Sequence, residues 1–226
     1  MDSMVSGVGV LDKSMALVEA VSAGAGTLGE LMAGTGLPKA TAHRLASALE
    51  AHGVLRRHDD RYALGLRLQA LGRQAGDGWP LADMATPVLA RLRDETGESV
   101  QLYVRSGGHR LCVASLESPE ELRTTVEQGA LLALNVGSAG KLLQWAAELP
   151  DGVPAMTVVS TRRRVFTSVG ERAPGVASVS APAVVDGEVV AVSVSGPIDR
   201  LGRRPGRRYG AAVAAAAERL ERRARS

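Results

Sequence analysis

The chain has 226 residues, with 27 Lys and Arg against 24 Asp and Glu, a formal net charge of +3 and a pI of about 9.4. That length suits two modest domains, and 45% apolar residues are enough for buried cores, although 3% aromatic content leaves those cores to Leu, Val and Ala. No run approaches the ~18 apolar residues of a membrane helix, Met1 to Val10 lacks the basic-then-apolar order of a signal peptide, and Cys112, the only cysteine, excludes an intrachain disulfide.

A cytoplasmic protein is the expectation. Lysine occurs only at Lys13, Lys39 and Lys141, so the basic balance is almost entirely arginine. Where the charge lies therefore carries more than its total.

Leu11, Met15, Val18 and Val21 recur at helical spacing and predict a helix over about residues 12–23, stopped by Gly24-Ala25-Gly26. Thr27 with Glu30 three residues on forms a capping box for a short helix to about Ala33. Gly34 to Leu37 reads as a tight turn. Pro38 suits the first turn of the next helix, whose buried face is Ala42, Leu45 and Leu49 and which ends at His52-Gly53. Strand-like pieces at Val54–Arg57 and Tyr62–Leu64 flank His58–Arg61 and predict a small hairpin. Leu64, Leu68 and Leu71 predict a connecting helix, broken at Gly76-Asp77-Gly78.

Leu81 to Thr96 reads as a helix with Met84, Ala85, Val88, Leu89 and Leu92 inward. Val100, Leu102 and Val104 alternate with Gln101 and Tyr103 before Gly107-Gly108 and Leu111-Cys112-Val113, which predicts a hairpin. Ser138 is the expected cap of a helix through Trp145. Val176–Val185 and Glu188–Ser195 surround Asp186-Gly187, a strong two-residue turn. An Ala/Glu/Arg-rich helix, Ala211 to Arg223, closes the chain. Strands and helices in this order suggest a sheet with helices packed on it.

Three short helices and a hairpin within about 65 residues make the pattern of a winged helix-turn-helix. Its second helix would present Lys39, Thr41, His43 and Arg44, with Ser47 one turn on. Those side chains suit phosphates and base edges. The wing adds Arg56, Arg57 and Arg61. From Lys39 to Arg73 seven positive residues face three negative ones, an excess larger than that of the whole chain. The competing reading is a helical subdomain with a solvated basic face.

The Asp186-Gly187 turn lets the ladder be counted back. Val185 pairs with Glu188, Ser180 faces Ser193 and Ser178 faces Ser195. The four hydroxyls then share one face and Val179, Ala181, Val192 and Val194 the other. A cluster of small hydroxyls on a covered sheet suits a polar ligand; on an uncovered sheet it is merely a solvated face.

Other motifs lose their chemistry in context. Gly24-Ala-Gly-Thr-Leu-Gly29 follows a helix rather than a strand, so it is not a dinucleotide loop. His43, His52, His58 and His109 lack metal-ligand spacing with Cys112, and the last three are expected to be exposed. Gly137-Ser138-Ala139-Gly140 has the wrong spacing for a nucleophile elbow. Cys112 reads as a buried small hydrophobe. The pairs Arg203-Arg204 and Arg207-Arg208 read as a solvated helix entrance. No cofactor or metal is expected, and no catalytic residue. The enzyme alternative, a second domain that processes a small acid, lacks a base–nucleophile pair.

Several stretches resemble IclR-type transcriptional regulators: Gly9-Val-Leu-Asp-Lys-Ser, Pro38-Lys-Ala-Thr-Ala-His-Arg-Leu, and Tyr62-Ala-Leu-Gly-Leu-Arg-Leu. Gly137-Ser-Ala-Gly-Lys-Leu-Leu, Gly175-Val-Ala-Ser-Val-Ser-Ala-Pro and Val192-Ser-Val-Ser-Gly-Pro-Ile extend the likeness over nearly the whole chain. The run from Glu171 to Pro182 is similar to an actinobacterial subgroup linked to amino-acid metabolism and antibiotic production.

The resemblance implies an α+β chain. A winged helix-turn-helix over 1–64 and a linker helix over 65–78 lead to a GAF-like α/β effector-binding and oligomerisation domain over 79–226. It implies a homodimer, or dimer of dimers, on palindromic double-stranded DNA, acting as repressor or activator, with no membrane partner. It also implies an effector pocket lined by Leu132, Ser138, Ala139, Ser168, Val176, Ser178, Ser193 and Ser195. The effector expected there is a small organic or amino acid, its carboxylate drawn to the helix that Ser138 opens. Two departures stand out: Glu148 to Arg164 is shorter than the family pattern, and Val165-Phe166 stands where glycine and an aromatic are usual. The alternative they leave open is a DNA-binding oligomer with a vestigial, ligand-independent second domain.

Overall fold

Helix α1 (Gly9–Ser22) buries Leu17, Ala20 and Val21 against α2 (Leu28–Thr35), α3 (Lys39–Ala51) and the wing strand β2 (Arg61–Leu64). The three-residue step and the adjacent pair put those side chains on one stripe. In the computed structural model, which describes residues 7–78, 80–149 and 164–225, the chain divides into two units after residue 79. The first unit has its own core of Leu17, Leu31, Ala42, Leu45, Ala46, Leu55 and Tyr62.

The start of α2 carries the full capping box. Glu30 N–H donates to Thr27 Oγ1 at 3.2 Å, and Glu30 Oε2 accepts from the N–H groups of Thr27 and Gly26. Those main-chain N–H groups hold the Glu30 carboxyl below its ordinary pKa. Strand β1 (Leu55–His58) pairs antiparallel with β2 through a two-residue turn, Asp59-Asp60, both at positive φ. Gly65 then lies so close to Gly53 that a Cβ there would stand 2.0 Å from the Gly53 carbonyl oxygen, so only glycine fits between the wing and helix α4 (Leu66–Gly78).

The second unit opens with α5 (Leu81–Thr96) and is built on a six-stranded antiparallel sheet in the order β5-β4-β3-β8-β7-β6. The strands are β3 (Ser99–Ser106), β4 (His109–Leu116), β5 (Leu131–Ala133), β6 (Phe166–Val169), β7 (Val176–Val185) and β8 (Glu188–Pro197). One face carries Val100, Leu102, Val179, Val192 and Val194, all buried beneath α5 and the C-terminal helix α8 (Pro205–Ala224). The other face receives α6 (Ser138–Ala147), which packs on β4, β6, β7 and β8. A single turn, α7 (Ile198–Leu201), follows β8 and is tied down by Arg200, which forks onto the buried Glu98 carboxylate at 2.8 and 2.9 Å. No helix among the described residues is long and apolar enough to cross a membrane.

Several expectations need correcting. Leu11 and Met15 are exposed, because the buried stripe of α1 is set by Leu17 and Ala20, and a small Ala hardly marks an apolar face in sequence. Helix α4 runs through Gly76–Gly78 instead of breaking there; a helical glycine costs only about 1 kcal/mol relative to Ala, which a helix tolerates. Helix α2 absorbs Gly34 and Thr35 and is closed by Gly36 in the left-handed region. Helix α8 begins six residues earlier than expected, with Pro205 at its first turn, so Arg207 and Arg208 are helical. His109 is half-buried rather than exposed. Gly137, not Ser138, caps α6. Phe166 is buried against Trp145, their ring centroids 5.5 Å apart.

Candidate nucleic-acid interface and ligand pocket

Packing Ala42, Leu45 and Ala46 into the core turns the opposite face of α3 outward. Lys39, His43, Arg44 and Ser47 are exposed there and Thr41 is half-buried. Pro38 precedes the helix without a side-chain cap, which leaves the first N–H groups of α3 available to an anion.

The wing arginines are exposed but engaged. Arg57 pairs with Asp60 and lies over the Tyr62 ring at 5.6 Å. Arg56 Nε donates to the Leu64 carbonyl at 3.3 Å, and Arg61 stands 4.0 Å from Glu30. The Asp60 carboxylate raises the Arg57 pKa above its ordinary value.

On the α6 side of the sheet, register builds two polar rows. Ser99, Ser195, Ser178 and Ser168 line up across β3, β8, β7 and β6; Gln101, Ser193, Ser180 and Phe166 form the next row. The Ser138 hydroxyl stands 2.7 Å from both Ser178 Oγ and Ser180 Oγ, and Ser180 Oγ lies 2.5 Å from Ser193 Oγ. Ser195 donates to Gln101 Oε1 at 3.0 Å. Ser180, Ser193 and Ser195 are all buried. The solvated-face reading of the hairpin is therefore wrong: α6 covers these hydroxyls, and they satisfy one another.

Above these rows lies a small cleft, open to solvent, lined by serines 138, 168, 178, 193 and 195 together with Gln101, Tyr103, Arg110, Gly137, Ala139, Arg172 and Val176. Arg110 is 2% exposed and donates to the carbonyls of Ala133 and Val136, while its Nε has no partner among the described residues. Burial lowers its pKa, and the second guanidinium, Arg172, pushes the same way. Arg110 also lies over the Tyr103 ring at 5.5 Å. Burial drives the Tyr103 phenol well above its ordinary range and the Cys112 thiol up to about 11. Gly140 lets α6 approach this corner, since a Cβ there would fall 2.3 Å from the Leu134 carbonyl oxygen.

The entrance of α6 is already occupied. Gly137 N–H donates to Glu171 Oε2 at 3.3 Å, Ser138 N–H to Ser178 Oγ at 3.4 Å, and Lys141 pairs with Glu171. Burial works to raise the Glu171 pKa, but Lys141, the Gly137 N–H and Ser168 together hold it below the usual carboxylate value. Among the described residues no group of His, Cys, Asp and Glu is placed to hold a metal.

Two family models match the chain. Residues 10–59 match the IclR helix-turn-helix domain and residues 74–153 match the C-terminal domain of bacterial IclR transcriptional regulators, together more than half of the sequence. The chain belongs to the IclR family. It is thus a transcriptional regulator with a helix-turn-helix DNA-binding domain and an IclR-type C-terminal domain.

The regulator is 34% identical to the Bacillus subtilis HTH-type regulator KipR over 116 residues, which cover 51% of this chain and 46% of KipR. It is 28% identical to the glycerol operon regulatory protein of Streptomyces coelicolor over 220 residues, covering 85% of this chain and 86% of that protein. Two solved structures share the IclR fold. The IclR-family regulator of Brucella abortus aligns with a TM-score of 0.72 at 19% identity, over 95% of this chain and 92% of that one. An IclR homologue from Microbacterium hydrocarbonoxydans, solved in complex with 4-hydroxybenzoate, aligns with a TM-score of 0.72 at 20% identity, over 96% and 99%.

Within this IclR-family chain the structure gathers seven of the eight residues expected at the pocket: Ser138, Ala139, Ser168, Val176, Ser178, Ser193 and Ser195. Leu132 lies outside the lining; it pairs with Arg110 across β4 and β5 and packs on the apolar cluster of Cys112, Leu142 and Leu143. The helix entrance expected to draw a ligand carboxylate instead holds Glu171. Sequence reasoning missed Gln101, Tyr103, Arg110 and Arg172. The alternation of Gln101 and Tyr103 with Val100, Leu102 and Val104 marked a polar face on β3, but nothing local said that this face meets β8. No periodicity singles out Arg110 or Arg172.

Proposed function

We propose that this regulator couples DNA binding to a small organic or amino-acid-like effector held in the cleft between α6 and the sheet. The observation that carries the reading is a solvent-open cleft floored by buried polar side chains, Gln101, Ser138, Ser193 and Ser195, inside an otherwise apolar domain. Its hydroxyls bond one another and Gln101 rather than a general base, which supports a binding site and argues against catalysis. Ser138, Ala139, Ser168, Val176, Ser178, Ser193 and Ser195 form its walls. A structural relative was solved in complex with 4-hydroxybenzoate, which supports a small organic acid as the effector class.

In the N-terminal unit, Lys39, Thr41, His43, Arg44 and Ser47 read the major groove, and Arg56, Arg57 and Arg61 meet phosphates beside it. Residues 65–78 serve as the linker helix. The regulator works in the cytoplasm as a homodimer or dimer of dimers, whose two-fold symmetry matches a palindromic operator.

The test is a titration of the purified chain against intergenic DNA flanking its own gene, with non-specific competitor, at two salt concentrations. Saturable binding with a protected palindrome is expected. Binding that vanishes with salt and protects nothing reduces the basic face to non-specific contact. Organic acids are then screened by melting shift. The double variant Ser193→Ala with Ser195→Ala should lose that shift and keep its DNA affinity; a wild-type response moves the pocket elsewhere.

A further inference from the structure

We infer that the pocket contains a dedicated carboxylate subsite built on the side chains of Arg110 and Gln101 rather than on the main-chain N–H groups that open α6. The inference rests on the pocket reading above and adds the charge of the ligand and the groups that read it. Two orphaned donors carry it. Gln101 is 1% exposed and its Oε1 accepts from Ser195, yet its Nε2 has no partner among the described residues. Arg110 is almost as deeply buried, spends two bonds on main-chain carbonyls, and leaves Nε unpaired. Buried donors without acceptors are costly, and buried guanidinium groups are ordinarily paired with a carboxylate.

Among the described residues, the charges acting on Arg110 are a phenol, a thiol and a second guanidinium, Arg172, with no carboxylate among them. Both orphaned side chains and Arg172 line the same cleft. The Arg110 guanidinium also lies beneath the positive end of α6, close enough that a Cβ on Gly140 would meet its Nη1 at 2.8 Å. Glu171, at the head of α6, is committed to Gly137 N–H and Lys141. An incoming anion therefore meets uncompensated positive charge at Arg110, and the amide of Gln101 supplies a further donor. Ser193 and Ser195, alternate residues on the same face of β8, border this end of the cleft.

The experiment compares carboxylate probes with their neutral isosteres. Acetate and benzoate are titrated against acetamide and benzamide on the full chain at constant ionic strength, followed by melting and by calorimetry. The carboxylates should raise the melting temperature and the amides should not. Gln101→Glu keeps the acceptor for Ser195 and places a fixed carboxylate in the subsite. It should raise the melting temperature of the ligand-free chain and weaken benzoate binding about tenfold to a hundredfold, the worth of a charge-assisted bond lost. A purely structural Gln101 gives the opposite, a lower starting melting temperature.

Arg172→Gln, at a half-buried position less coupled to folding than Arg110, should weaken benzoate and leave benzamide unchanged. Equal response to acids and amides, or Gln101→Glu binding benzoate like wild type, overturns the subsite while leaving the pocket intact. No response of the wild-type chain to either acid also overturns it. Loss of the pocket itself is read separately, from the serine double variant.

Discussion

Glu171 is a carboxylate that the fold uses twice, as a partner for Lys141 and as an acceptor for the Gly137 N–H at the head of α6. Its pKa is held below that of an unfolded glutamate. Its ionised form is therefore favoured in the folded state, and the stability it adds is present above the unfolded value and disappears as pH falls through the folded one. The melting temperature of the wild-type chain should consequently fall more steeply on acidification below the ordinary glutamate range than that of Glu171→Gln. Parallel curves for the two proteins would remove the carboxylate from this role.

On the other unit, Arg44 stands exposed on the outward face of α3 with no ion pair among the described residues, unlike Arg57, which Asp60 engages. Arg44→Ala should weaken operator binding by about 1–3 kcal/mol if its guanidinium reaches a base edge. A gel-shift titration with unchanged affinity excludes it from the reading surface. Cys112 sits at the opposite extreme: buried, its thiol pushed up to about 11 and so neutral near pH 7, it should resist alkylation until the domain unfolds.

The wing is the element where local chemistry and function pull apart. Both turn residues, Asp59 and Asp60, take positive φ, at 46° and 61°, where Asn-Gly is the preferred pair. They also set two negative charges at the tip of a hairpin proposed to lie against phosphates. Replacing Asp59-Asp60 by Asn-Gly should relieve backbone strain of about 1 kcal/mol and release Arg57 from its exposed, solvent-screened ion pair. Non-specific DNA affinity should rise and its salt dependence steepen, read as the slope of log affinity against log salt. An unchanged slope means the wing tip never nears the backbone.

Turn chemistry of this kind is also why much of the architecture could be read before any coordinates. Asp186-Gly187 sets the β7–β8 register, and the structure reproduces the pairs Ser180 with Ser193 and Ser178 with Ser195. The capping box at Thr27 and Glu30 likewise forms as spaced. Helix faces were less legible. In α1, Ala20 buries while Leu11 does not, because burial is decided by what α2 and α3 present, which no local pattern contains.

At the scale of the molecule, the two units have separate apolar cores, one around Leu17, Leu31, Leu45 and Leu55, the other including Cys112, Leu142 and Leu143. The change from three short helices and a hairpin to long alternating strands announces that division in sequence. The pocket was legible only where strands adjacent in the chain supply it. Ser178, Ser193 and Ser195 come from one hairpin, whereas Gln101 reaches it through the β3–β8 pairing, and Arg110 and Arg172 arrive from β4 and from the loop after β6. Such non-local meetings follow from topology, and topology is not periodic.

Separate cores predict separable behaviour. Residues 80–226 expressed alone should fold, keep the melting response to carboxylate probes, and fail to bind DNA. The full chain should show two calorimetric transitions, with ligand raising the one assigned to the isolated fragment and operator DNA raising the other. A single transition moved equally by both would mean that the units unfold as one cooperative body. The linker helix would then be a rigid continuation of the second core rather than a joint between two domains, and the effector would act on the DNA-binding unit through shared stability rather than through a change in its placement.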